Sequence, residues 1–495
     1  MKIKGYLIWL FFLLYPLVNA LAQTEDYDVL YTPRKQQVTR DIESVRRGER
    51  DRNATAQPRG NYKRWTLEEC IQYAIEHNIS IQRLKVQQKV AAVRQNTAEN
   101  SRWPDLNAAV MQDWSFGRSQ TYADMDEPLS GTRLGASASI PLFTGFRIPN
   151  EIARTKLEFE AATQNLEKVK DDLSIHITAL FLQVLFCKEL VKVNEDHWLL
   201  TQNQLKKTIL LIEAGSVPSV SLYDVEAQLA KDKVSVIEAQ NNLELALLDL
   251  AQALELERES QFDIKAPAFS EKLMGDMFRK IMPAQLIFEH ALTGKPVIKE
   301  QEYKVASAKK MLKVTQAGYM PNLNLVFEWG TGYLYRYDGQ DVVNPSTGQL
   351  VKANGAFGNQ LKNNDYMLIG LKLSIPVFNR FETRNKVRAA KLDIADRELA
   401  LEDAKKILYK EIQVAHKNVT AAHEKYKASN DAVTFTSESF RHAQIRYELA
   451  KLTSFEYDEV KTRFLQSQSE QIQAKYDYIL RAKILDFYNG IPVKL

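Results

Sequence analysis

The stretch Ile140-Pro141-Leu142-Phe143 returns as Ile375-Pro376-Val377-Phe378, and the offset of 235 then holds without a gap through roughly eighty residues. Asn150 falls on Asn385, Lys156 on Lys391, Leu157 on Leu392, Leu166 on Leu401 and Leu173 on Leu408, and Val225 still meets Val460. A second alignment lies upstream, where Pro104-Asp105-Leu106-Asn107 meets Pro321-Asn322-Leu323-Asn324 at an offset of 217. It also pairs Ala74 with Ala291, Ile81 with Ile298 and Ala91 with Ala308. The chain is a tandem repeat, and the difference between the offsets marks an 18-residue insertion in the second copy.

Immediately before the quoted stretch the pattern has period two. Leu134, Ala136, Ala138, Ile140 and Leu142 share one face, opposed by Gly135, Ser137 and Ser139. Upstream, Leu106, Ala108, Val110, Trp114 and Phe116 face one way, while Asn107, Met111, Asp113 and Ser115 face the other. The second copy sets Leu323, Leu325, Phe327, Trp329 and Tyr333 against Asn322, Asn324, Glu328 and Gly332, then Met367, Ile369, Leu371, Leu373 and Ile375 against Lys372 and Ser374. Alternation of this kind predicts four strands in two hairpins, each with one apolar face. Strands of ten or so residues are long enough to cross an outer membrane when tilted, and the aromatics at the loop end match a headgroup girdle. A soluble hairpin buried against a core has the same pattern. The connecting loops, roughly 117–131 and 336–365, absorb the insertion.

After the quoted stretch, no Pro or Gly interrupts the chain from about Asn150 to Ala214. Leu166, Leu173, Leu180 and Cys187 form one row at intervals of seven, beside Ile177, Val184, Val191 and Trp198. The second copy keeps Leu401, Leu408 and Ala415 beside Ile412, Val419 and Tyr426. These rows predict coiled-coil helices about 95 Å long, with returning helices after Gly215 and Pro218 and after a turn near Lys451 to Phe455. Each copy opens with shorter helices, the first at a capping box formed by Thr66 and Glu69 and interrupted at Asn78.

The N-terminus has Lys2 and Lys4, an apolar run from Tyr6 to Val18, and Ala20-Leu21-Ala22 before Gln23, the pattern of a secretory signal peptide. The formal charge of +4 includes those two lysines, so the mature chain is near neutral and nucleic acid is not an expected partner. The two cysteines, Cys70 and Cys187, are expected to be buried thiols. Together these features divide the chain into a signal peptide (1–22), a polar extension (23–64), a first repeat (65–258), a linker (259–282) and a second repeat (283–490). The first repeat carries a β-hairpin at 104–142 and a helical hairpin at 148–258; the second carries them at 321–377 and 383–488. The expected fold class is mainly α with a membrane β-barrel part.

Four strands are too few for a membrane barrel, so edges exposed in a membrane must pair with other chains. Three marks give the resemblance its specificity. They are Trp65-Thr66-Leu67-Glu68-Glu69-Cys70 with Ala74, Asn78 and Ile81; Pro141-Leu142-Phe143-Thr144-Gly145-Phe146-Arg147; and Ala214-Gly215 with Tyr223-Asp224-Val225 and Ala227. Over residues 65 to 490 the chain resembles the TolC family of outer-membrane efflux proteins. The resemblance implies a homotrimer with a twelve-stranded barrel in outer-membrane lipid and a periplasmic barrel of helical hairpins. Its partners would be a periplasmic adaptor (membrane fusion) protein and an inner-membrane transporter. It also implies a periplasmic gate at Tyr447, Glu456 and Glu459 with Asp458 adjacent. Adaptor contact would fall on Gly215, Val217, Ser221, Leu222, Leu452, Thr453, Ser454 and Phe455. Leu452 stands where some members have an Arg, and Ser221 where many have Asp.

No phosphate-binding loop, nucleophile elbow or metal-spaced cysteine pair is present, so neither catalysis nor a cofactor is expected. His416 and His423 could share a helix face, but solvated helix positions account for them. Two other functions remain open: a conduit for type I protein secretion, and a structural periplasmic coiled-coil protein.

Overall fold

Capping chemistry fixes where the first copy begins. Thr66 accepts from the Glu69 amide while the Glu69 carboxylate accepts from the Thr66 amide, which starts α1 (Leu67–His77). Asn78 ends it and caps α2 (Ile79–Asn100) by accepting from the Ser80 and Ile81 amides. The computed structural model describes residues 64–116, 129–214, 216–217, 220–256, 262–267, 282–337, 342–343, 350–351, 354–449 and 451–491. The signal peptide, nearly all of the expected extension and most of the linker lie outside them.

Before α1 comes β1 (Arg64–Trp65); β2 (Asp105–Ser115) and β3 (Leu129–Phe143) follow α2. Next are α3 (Arg147–Glu213), α4 (Val220–Ala253) and β4 (Asp263–Ile264), which pairs in parallel with β1. The second copy runs α5 (Ala284–Gly294), α6 (Pro296–Gln316), β5 (Asn322–Arg336), β6 (Val342–Val343), β7 (Leu350–Val351), α7 (Phe357–Asn363), β8 (Tyr366–Ser374), α8 (Glu382–Glu448) and α9 (Ser454–Tyr488). Applying the 217 offset to α1 and α2 gives the starts of α5 and α6, and applying 235 to α3 gives both ends of α8.

The four long strands form one antiparallel sheet in the order β2-β3-β5-β8, so β3 on β5 joins the two hairpins. β3 and β5 are 15 residues long and β8 only nine. β8 begins at Tyr366 opposite Gly330, which leaves β5 beyond Gly330 without a strand on that side. Side chains from the insertion cover it: Gln360 bonds both the amide and carbonyl of Leu334, Asn354 does the same at Arg336, and Asn364 donates to the Gly332 carbonyl. The region expected to be only a loop thus contains a short helix, and side-chain amides from it and from the residues flanking it substitute for a strand and blunt the sheet edge.

The junction from sheet to helix explains the repeated sequence. Gly145 and Phe146 are left-handed at φ 61° and 64°, and Arg380 and Phe381 repeat this at 56° and 62°. The turn brings Phe143 against Phe146 edge to face with centroids 5.4 Å apart, and Phe378 against Phe381 at the same separation. At Gly145 a Cβ would lie 2.5 Å from the Met320 Cβ, so glycine is required there by space as well as by φ.

α3 and α8 are each 67 residues, about 100 Å long. Of the expected rows, Leu166, Ile177, Val184 and Cys187 on α3 and Leu408, Ile412, Ala415 and Val419 on α8 are buried, while Leu173, Leu180, Val191, Trp198, Leu401 and Tyr426 are half-buried. All of the buried ones except Leu166 meet α1, α5, α4 and α9 in one core cluster that also holds Cys70. Both cysteines are free, and burial pushes the Cys70 thiol up to about 12. Within 147–212 an 18-residue window reaches a mean hydropathy of 1.5. Its side chains Ile177, Phe181, Leu182, Val184 and Leu185 are core residues, so coiled-coil packing accounts for that composition.

Candidate functional site at the helical tips

In the first hairpin α3 ends at Glu213 and α4 starts at Val220; in the second α8 ends at Glu448 and α9 starts at Ser454. Thr453 caps α9 with a second capping box: its hydroxyl accepts from the Glu456 amide, and the Glu456 carboxylate accepts from the Thr453 amide and hydroxyl. Those bonds, backbone first, hold the Glu456 carboxyl below its ordinary range. Glu456 and Glu459 are both exposed, and Glu459 is paired with Arg463 at 2.8 Å.

Tyr447 and Asp458 sit differently. Tyr447 is buried, stacked on Tyr457 with centroids 4.7 Å apart and bonded to Thr208 at 2.9 Å. Asp458 is half-buried, accepts from Gln204 at 3.3 Å, and is pushed up chiefly by burial. Of the tip residues named from sequence, Phe455 is 79% exposed and Thr453 is exposed, while Val217, Ser221, Leu222, Leu452 and Ser454 are half-buried. Leu452 packs against the cluster of Phe440, Ala443, Tyr447 and Tyr457. Gly215 lies outside the described residues.

Sequence reasoning missed the contact between the two hairpins. The seam inside the second hairpin is aromatic, with Phe440 stacked on Phe464 at 5.4 Å. The seam between hairpins, α3 against α9, is polar. Lys461 reaches Asp232 at 2.9 Å with both side chains at least nine-tenths buried. Thr201 hydrogen-bonds to both, and Gln228 donates to the other Asp232 oxygen at 2.7 Å. Farther from the tip, His197 meets Gln468 at 3.0 Å and Lys475 meets both Glu189 oxygens at 3.0 Å. Burial lowers the His197 pKa, opposed by the bond to Gln468. A signal existed: Ser454, Lys461, Gln468 and Lys475 form a polar row at intervals of seven. A search for apolar heptads passes over it.

The repeat is visible here too, because Thr201 and Asp232 correspond to Thr436 and Ser467, whose hydroxyls meet at 2.6 Å. One copy uses a neutral pair where the other uses a charged triad. A buried ion pair of this kind is costly to break from one side and ties three helices of both copies together.

Comparison with known proteins gives this geometry a family context. The model of the family described as outer membrane efflux protein matches residues 70–255 and 287–490. The chain is 21% identical over 397 residues to outer membrane protein TolC of Escherichia coli (strain K12), covering 76% of this chain and 74% of that protein. Its fold is similar to the outer membrane protein VceC of Vibrio cholerae, with a TM-score of 0.69, 15% identity, and coverage of 86% of this chain and 97% of the other. The CmeC outer membrane channel of Campylobacter jejuni gives a TM-score of 0.69 at 16% identity, with 86% of each chain covered.

Proposed function

The chain belongs to the outer membrane efflux protein family, and from that premise we propose that three copies close into a single exit duct. The protein is an outer-membrane channel that passively conducts efflux substrates and performs no catalysis. In the duct, twelve strands form the membrane barrel and the helical hairpins form its periplasmic continuation. An inner-membrane transporter supplies the energy, and a periplasmic adaptor docks at the hairpin tips.

The observation that carries the trimer is the agreement between strand order and helix order. The sheet runs β2-β3-β5-β8, and the helices attached to those strands pack as α2-α3-α6-α8. Toward the tips the order is α4-α3-α9-α8. One edge therefore presents β2, α2 and α4, and the other presents β8 and α8. Because the four strands are antiparallel, the two edge strands run in opposite directions and copies can add head to tail with antiparallel pairing throughout. A heterologous contact whose rotation closes generates a ring. Apolar side chains exposed on both edge strands, including Leu106, Val110, Ile369 and Leu371, suit lipid.

At the tips, Glu456 and Glu459 contribute carboxylates to a ring at the periplasmic constriction, where three copies attract cations and repel anions. Tyr447 and Asp458 act one step behind it by holding the hairpins together. Gly215, Val217, Ser221, Leu222, Leu452, Thr453, Ser454 and Phe455 form the adaptor-facing surface. Fractionation with detergent extraction tests the whole reading: a trimer recovered from outer membranes and conducting in planar bilayers is expected, and a soluble monomer overturns it.

A further inference from the structure

The repeat extends to strand register. Asp105 pairs with Ser139; moved by 217 and 235 respectively, these become Asn322 and Ser374, which are themselves partners. One hairpin therefore maps onto the other with no slip. The junction between copies, β3 on β5, has no such image within the chain. Its image is β8 on a β2 strand, and the chain's own β2 lies at the opposite edge of the sheet.

We propose that β8 pairs with β2 of a second copy of this chain, in the register obtained by carrying the β3–β5 register through the same two offsets. This rests on the trimeric reading above and assigns its residue partners. Ser139 opposite Val326 becomes Ser374 opposite Ala109 of the partner subunit. Ala138 opposite Phe327 becomes Leu373 opposite Val110 of the partner subunit, and Leu134 opposite Thr331 becomes Ile369 opposite Trp114 of the partner subunit.

Three further observations support this pairing. The first is parity. The apolar face of β8 holds the odd residues Met367 to Leu373, and that of β2 holds the even residues Leu106, Val110 and Trp114. The transferred register sets odd against even, whereas a slip of one residue would set apolar side chains against polar ones.

The second is exposure at matched positions. Leu323 and Phe327 are half-buried on the interior strand β5, while their counterparts Leu106 and Val110 on the edge strand β2 are 76% and 62% exposed.

The third is chemical fit along the helices and at the junction. Glu189 with Lys475 maps to Glu424 with Gln240 of the partner subunit, an acceptor facing a donor. Gln204 with Asp458 maps to Ser439 with Tyr223 of the partner subunit, and Tyr223 is 70% exposed in the single chain. Gly145 against Met320 maps to Arg380 against Trp103 of the partner subunit, a cation facing an indole that is 68% exposed in the single chain.

The test is cysteine cross-linking in the full-length protein extracted from outer membranes, with the parent chain, whose Cys70 and Cys187 are buried, as control. Directly opposed residues in an antiparallel pair have Cα atoms about 4.5–5.5 Å apart, within disulfide range. Ala109→Cys with Ser374→Cys is expected to give a reducible three-chain species on mild oxidation. Asn107→Cys or Met111→Cys with Ser374→Cys is expected to cross-link at least about tenfold more slowly, because diagonal neighbours lie about 7–8 Å apart. Faster linking through position 107 or 111 overturns the register. If no pair links although native mass spectrometry shows three chains, the β8–β2 pairing is overturned and the trimer stands. A single-chain mass overturns the trimeric reading itself.

Discussion

Replacing Lys461 with Met removes one partner from the buried triad and leaves the Asp232 carboxylate without a cation. Asp232 is 8% exposed and sits between α3, α4 and α9. Breaking one side of a buried pair costs about 3–5 kcal/mol. Asp232 keeps the bonds from Gln228 and Thr201, which places the expected cost near the lower end, about 3 kcal/mol. At about 1.4 kcal/mol per decade, local opening of the seam should become roughly a hundredfold more frequent. Hydrogen–deuterium exchange resolved by peptide reads this directly, as faster exchange in segments spanning Thr201, Asp232 and Lys461 with little change near Leu166. The double variant Asp232→Leu with Lys461→Met should recover most of the protection, because an apolar pair of similar volume carries no uncompensated charge. If the single variant matches the parent within about threefold, or if the double variant is no better than the single, the triad does not tie the hairpins.

Acidification should weaken the same seam. His197 has a folded pKa below its ordinary 6.5, so the opened state binds the extra proton first. Its contribution is complete above 6.5 and is lost as pH falls from there toward the folded value, which exchange rates measured from pH 7.5 to 5 should follow and His197→Asn should flatten. Glu456→Ala removes a capping-box partner and should cost the start of α9 about 1 kcal/mol, while together with Glu459→Ala it should alter cation block in planar bilayers; unchanged single-channel behaviour excludes both from the gate. Gly145→Ala should lower thermal stability by more than the ~1–2 kcal/mol of a left-handed alanine because its Cβ meets Met320, whereas Arg380→Gly relieves left-handed strain and should change it by less than about 1 kcal/mol, the gain being offset by loss of the contact with Trp103 of the partner subunit; equal effects at the two sites in melting experiments would contradict the assigned geometry.

Much of this architecture was legible because local chemistry and repeat agree. Thr66 with Glu69 announces a helix start, and the Phe143/Phe146 and Phe378/Phe381 pairs recur because the same left-handed turn brings each pair together. What sequence did not reveal depends on distant packing. Nothing near Lys461 names Asp232 as its partner, since they lie 229 positions apart in sequence and on different hairpins. The polar row from Ser454 to Lys475 was visible but reads equally well as a solvated face until α3 is laid against it. The insertion likewise reads as a loop, because Gln360 and Asn354 acquire their role only where β8 ends short of β5. At the tip, residue types pointed to carboxylates, while the structure divides them: Glu456 caps a helix, Glu459 pairs with Arg463, and Asp458 turns inward to Gln204.

The central claim is that a four-stranded ribbon with two free edges closes by adding copies of itself. Native mass spectrometry of the protein extracted from outer membranes tests it most directly. A complex of three mature chains is the expected result; a single chain, or a complex whose copy number gives other than twelve strands, would contradict it.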